Sequence, residues 1–123
     1  MGKINNFYDL DVWKKSHLLV LEIYGITKDF PKSELYGVIS QLQRAASSIT
    51  ANIAEGFARY HFKDKIKFYY NSRGSTAEVQ NFLLLAKDLN YIDQNKLSEL
   101  EEKIIEINKL LNGLIRSTEL QIK

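Results

Sequence analysis

No cysteine occurs in the 123 residues, which excludes disulfides and thiolate-held metals and fits a reducing compartment. Histidine is almost as scarce, at His17 and His61 only, and neither follows a glutamate at the Glu-x-x-His spacing that di-metal helical bundles use. No Gly-rich phosphate loop, HExxH, nucleophile elbow or CxxC is present. Catalytic, cofactor and metal residues are therefore expected to be none. No apolar run approaches the roughly 18 residues of a membrane span. The start MGKINN has neither a signal-peptide core nor the Ser or Thr of a myristoylation motif. These absences predict a cytoplasmic protein with no membrane partner. Net charge is only +2, too small by itself to argue for nucleic acid.

Proline is also nearly missing, and the single Pro31 is informative for that reason. It should end a helix near Phe30, because the residue before proline is pushed out of the helical region. Ser33 is the expected N-cap of the next helix, with Glu34 in its first turn. A second break is expected at RYHFKD (residues 59–64). A third falls at LNYID, where Asn90 suits a left-handed cap and Asp93 an N-cap. Four segments result, over about 9–29, 34–59, 63–89 and 94–120.

Each segment is helical by its period. Val12, Ser16, Leu19, Ile23, Ile26 and Phe30 mark the first, and Leu35, Leu42, Ile49, Ile53 and Phe57 the second. Phe68, Ser72, Ser75, Val79, Phe82, Ala86 and Leu89 mark the third, and Leu97, Leu100, Ile104, Ile107, Leu111 and Leu114 the fourth. The period-two alternation of strands is absent. Matched amphipathic helices with short connections predict an all-α fold, an antiparallel up-down-up-down four-helix bundle forming a single domain over residues 1–123.

The first helix carries a second stripe: Trp13, His17, Val20, Tyr24 and Thr27. The third adds Ile66, Tyr69, Tyr70, Leu83 and Leu84. A bundle helix spends only about three of seven positions on its core. A wide core is one reading; a contact surface for another subunit through Trp13, His17, Val20 and Tyr24 is the favoured one.

A polar line runs beside the apolar face of the second helix: Gln41, Arg44, Ser48, Asn52, Glu55 and Arg59. The third helix offers Arg73, Ser75 and Glu78. Buried charges must be paired, so Arg44, Asn52, Glu55, Arg59, Ser75 and Glu78 are expected to form one structural polar network. Asn52, Glu55 and Glu78 have the oxygens for Mg²⁺, but the nearby arginines favour ion pairing. Gly56 and Gly74 lie inside helices, where glycine costs roughly 1 kcal/mol, and suggest close backbone approach.

Charge is segregated along the chain. Lys63, Lys65, Lys67 and Arg73 follow Arg59 with only Asp64 between them, whereas residues 88–106 are acidic. Tyr60, Phe62, Phe68, Tyr69 and Tyr70 interleave with the cations, a mixture suited to phosphate contacts and base stacking. RNA or DNA is one expected partner. The alternative is a scaffold for another protein, and two solvated helix faces are the plainer reading of the charges.

The blocks VWKKSH, SQLQRAASSITANIAEG and GSTAE, in that order, resemble the small bacterial 23S ribosomal RNA intervening-sequence proteins. Gln43 departs from the pattern, where the family often shows arginine. The resemblance runs from about Asp9 into the fourth helix and is poor after Tyr91. It implies a four-helix protomer assembling as a ring-like homopentamer. It also implies kinship with the accessory variability determinant of diversity-generating retroelements, a basic pentamer that engages nucleic acid and a reverse transcriptase. It implies no established activity.

Overall fold

The computed structural model describes residues 3–122. Its four long helices are α1 (Asp11–Thr27), α2 (Ser40–Ala58), α3 (Phe62–Asp88) and α4 (Gln94–Glu119). Among the described residues there is no strand. A 3-10 turn at Phe7–Asp9 precedes α1, where Asp9 accepts from the Asn5 and Asn6 backbone N–H groups.

Side-chain pairs between the helices give their direction. From α2 to α3, Lys65 meets Phe57, Ser72 meets Ile49 and Ser75 meets Ser48. From α3 to α4, Tyr70 meets Glu119, Arg73 meets Asn112 and Thr76 meets Asn108. From α1 to α4, Lys15 meets Glu106 and Glu22 meets Lys103. In every case the numbers rise on one helix as they fall on the other. Adjacent helices are therefore antiparallel, and the bundle closes by packing α1 on α4. Its core is built from Leu19 and Ile23, Leu42, Ile49 and Ile53, Val79 and Leu83, and Leu100, Ile104, Ile107 and Leu111.

The α1–α2 connection differs from the expectation. Ser33 caps nothing; it lies in a 3-10 turn, Lys32–Glu34, and a kinked segment follows over Leu35–Ile39, where Gly37 leaves the helical region at φ −111° and ψ −116°. Glu34 takes the capping role, with its carboxylate accepting from Val38 N–H at 3.5 Å and from the Tyr91 hydroxyl at 2.8 Å. The second contact ties this connection to the α3–α4 turn. Gly37 leaves room for that carboxylate: a Cβ would stand 2.5 Å from Glu34 Oε1 and turn the side chain aside. Leu35, expected in the core, precedes this kink and is exposed together with Tyr36. At the α3–α4 turn, Asn90 adopts φ 64° and Asp93 accepts from Lys96 N–H at 2.8 Å, as the sequence predicts. Leu89, expected in the core, is exposed beside that turn.

Close approach of α2 and α3 explains Gly56. A Cβ there would meet the Tyr69 ring at 2.6 Å and the Lys65 carbonyl at 3.1 Å. Gly74 is different: it faces open space, so close approach is not its reason. Among the described residues one buried side-chain polar atom is unsatisfied. Ser16 Oγ, fully enclosed on α1, has no hydrogen-bond partner.

Candidate nucleic-acid interface

The polar line of α2 divides into a buried neutral part and an exposed charged part. Ser72 donates to the Ile49 carbonyl at 2.8 Å, and Ser75 Oγ lies 2.9 Å from Ser48 Oγ. Asn52 donates to Ser48 O at 2.8 Å and to Ser48 Oγ at 3.0 Å. Asn52, Ser48, Ser72 and Ser75 thus form the α2–α3 seam. The charged members do not join it. Arg44 and Glu78 are exposed, and Glu55 pairs only with Arg59, one turn along, at 3.2 Å in solvent. The expected six-residue buried network is corrected accordingly. Small hydroxyls satisfy themselves against helix carbonyls, whereas a carboxylate or guanidinium in so close an interface would lose hydration without compensation.

The second stripe of α1 also resolves differently. Val20 is in the core, and Trp13 is half-buried, packed edge-on against Phe7 and stacked on His17 at 4.7 Å. Of the expected interface residues only Tyr24 is exposed. The apolar residues that α1 presents to solvent are Leu18, Leu21 and Tyr24. The N-terminal 3-10 turn explains the shift, because its Phe7 covers Trp13.

The cations of early α3 separate by orientation. Lys63 and Lys67, one turn apart, are exposed. Lys65 turns inward, its ammonium donating to the Phe57 carbonyl at 2.8 Å and lying 5.5 Å from the Phe57 ring. It caps the C-terminus of α2, and burial lowers its pKa. It is corrected from phosphate contact to helix cap. Arg73 is held in place, donating to Asn112 Oδ1 at 3.0 Å with its guanidinium 4.9 Å over the Tyr70 ring. The aromatics divide too. Tyr60, Phe62 and Tyr70 are exposed, Phe68 lies beneath Arg59, and Tyr69 is buried against Gly56.

The sequence reading missed α4's share of this face. Asn108 accepts from Thr76 at 2.8 Å, Asn112 accepts from Arg73, and Glu119 accepts from Tyr70 at 3.3 Å. This polar line runs beside the Ile104–Ile107–Leu111–Ile115 core stripe and brings exposed Lys109 and Arg116 to the α3–α4 face. The signal was available in the spacing of Asn108, Asn112 and Glu119. Elsewhere the cations Lys15, Lys87, Lys96 and Lys103 pair with carboxylates, chiefly along α1 and α4, while Lys14, Lys28, Lys32 and Arg44 are exposed singly on other faces. Among the described residues no carboxylate pairs with Lys63, Lys67, Lys109 or Arg116. The face therefore gathers Lys63, Lys67, Arg73, Lys109 and Arg116 around exposed Tyr70, against the two carboxylates of Asp64 and Glu119.

Among the described residues no three His, Asp or Glu side chains come together as a metal site. No helix there is long and apolar enough to cross a membrane.

A crystal structure of a protein of unknown function from the S23 ribosomal protein family, from Bacteroides thetaiotaomicron, superposes with a TM-score of 0.75. The two chains share 25% identity, over 85% of this chain and 97% of the other. No curated protein matches the chain. The model of the 23S rRNA-intervening sequence protein family matches residues 8–113, which takes in α1, α2, α3 and most of α4. With the family's helices accounted for in sequence and in space, the chain belongs to the 23S rRNA-intervening sequence proteins.

Proposed function

We propose that this protein is a non-enzymatic nucleic-acid-binding accessory protein, acting as a homo-oligomer and recognising phosphates rather than sequence. The observation that carries the reading is the α3–α4 face, where Lys63, Lys67, Lys109 and Arg116 have no carboxylate partners among the described residues and Arg73 is held against Tyr70. Unpaired cations attract a polyanion by releasing its counterions, and exposed aromatics add base stacking. No element suited to reading a duplex groove is recognisable, so affinity comes chiefly from the backbone.

Self-association is supported by Leu18, Leu21 and Tyr24 on the outer side of α1. Homopentamer is the stoichiometry the family resemblance supports, and repetition around a ring would multiply a modest patch through avidity. Leu84, Leu85 and Leu89, exposed at the C-terminal end of α3, favour a second reading as a protein-binding scaffold.

Light scattering on a sizing column, followed by nuclease treatment of the purified material, tests both parts. The expected mass is five times 14.2 kDa, with nuclease-sensitive material in the same peak. A monomer at micromolar concentration contradicts the assembly. Material free of nucleic acid that also fails to bind added single strands at low salt leaves the scaffold reading.

A further inference from the structure

Where the α2–α3 turn meets the end of α4, an open cleft of about 560 Å³ is lined by His61, Phe62, Lys63, Asp64, Gln121 and Ile122. We propose that this cleft is a subsite for one unstacked, amino-bearing base of a single-stranded nucleic acid. The inference rests on the nucleic-acid reading of the adjoining α3–α4 face. The cleft's size falls in the range of small-molecule sites, about 300–1,000 Å³.

Its chemistry is mixed in a way that phosphate binding alone does not need. Phe62 is exposed and Ile122 half-buried, giving two apolar walls against which a base ring can lie. Lys63 stands at the cleft, and Lys67 follows one turn on, about 6 Å along α3. These two lysines serve the phosphates flanking the inserted nucleotide. Tyr60, beside His61 at the tip of the turn, is 87% exposed and offers a stacking face for the next base.

Asp64 sets the base preference. Asp64 is half-buried and lines the cleft, and its carboxylate has no ion-pair or side-chain hydrogen-bond partner among the described residues. A carboxylate inside a cationic face opposes phosphate binding. Ionised, it only accepts hydrogen bonds, so it matches the exocyclic amine of cytosine, adenine or guanine and repels the carbonyl edge of uracil or thymine. Gln121 carries both donor and acceptor and can serve the neighbouring ring atom. A duplex cannot present a base this way, since the amine is already paired and the ring stacked; the ligand is a single strand.

Polarisation titrations at neutral pH with two labelled RNA 12-mers, all cytidine and all uridine, test the assignment. Both have the same backbone and charge. The wild-type protein is expected to bind the cytidine strand about tenfold more tightly, as a charge-assisted hydrogen bond supplies. Asp64→Asn should erase that ratio, because the carboxamide donates as well as accepts, while leaving uridine-strand affinity unchanged or improved. Phe62→Ala should weaken both strands. Arg116→Glu, outside the cleft, should weaken both equally and preserve the ratio. Equal wild-type affinities with binding intact overturn the subsite and leave the nucleic-acid reading standing. Absence of binding to either strand at low salt overturns both.

Discussion

Replacing Gly56 with alanine tests the packing of α2 on α3 through a sign rather than a size. In an unobstructed helix the change stabilises by roughly 1 kcal/mol, because alanine loses less backbone entropy. At Gly56 the new methyl would stand 2.6 Å from Tyr69 Cε1, 3.0 Å from Cδ1 and 3.1 Å from the Lys65 carbonyl. Neither neighbour can yield cheaply. The Tyr69 ring is 2% exposed, and the carbonyl belongs to the α3 backbone. Overpacking of this kind costs about 1–3 kcal/mol, which exceeds the propensity gain. The net expectation is a loss of up to about 2 kcal/mol. Gly74→Ala is the internal control, since nothing lies within 4 Å of its Cβ position. It should gain about 0.5–1 kcal/mol. Urea denaturation followed by circular dichroism, at one protein concentration, measures both. Opposite signs are predicted, and Tyr69→Leu should recover part of the Gly56→Ala loss. A gain of similar size at both positions would refute the close approach.

Ser16→Ala should be neutral or stabilise by up to about 1 kcal/mol in the same assay, because it deletes an unsatisfied buried hydroxyl. Ser72→Ala should cost about 1 kcal/mol through the lost bond to Ile49, more than the exposed Glu55→Ala. Lys65→Met should lose about 1 kcal/mol with the cap on Phe57, while Lys63→Met stays within about 0.5 kcal/mol of wild type. Burial pushes the Tyr69 phenol up to about 12 from 10.0. Its folded pKa exceeds the unfolded one, so its contribution is intact below pH 10 and is lost as pH climbs toward 12. The wild type should therefore lose stability across that window relative to Tyr69→Phe, a comparison that cancels the opposite drift of Lys65.

The helices and their direction were legible because a repeat of three and four is a direct imprint of which side meets the core. Pro31, Asn90 and Asp93 marked turns for the same kind of local reason, a fixed or tolerated backbone angle. The kink at Gly37 was not legible. It depends on Glu34 reaching Val38 N–H and Tyr91 together, and Tyr91 is a partner 57 positions away. The polar seam was half legible. Spacing located Asn52 and Ser75 on the contact, but it could not tell a line pointing into the interface from one lying a few tens of degrees outside it. Arg44 and Glu55 fell outside. Lys65 shows the same limit at one residue: composition counts its charge, while only packing shows the ammonium turned onto α2's last carbonyls. Lys109 and Arg116 were overlooked because the fourth helix is acidic in its first half, and the change of sign comes after Glu106.

The salt dependence of single-stranded RNA binding is the most direct test of the α3–α4 face. If Lys63, Lys67, Arg73, Lys109 and Arg116 of one protomer all meet phosphates, log affinity should fall against log salt with a slope of about −3.5. Reversing Lys67, Lys109 and Arg116 to glutamate should bring the slope to about −1.4 or shallower, or abolish binding, with helix content unchanged. A slope near zero in the wild type, or the same slope and affinity in the triple variant, would contradict the assignment.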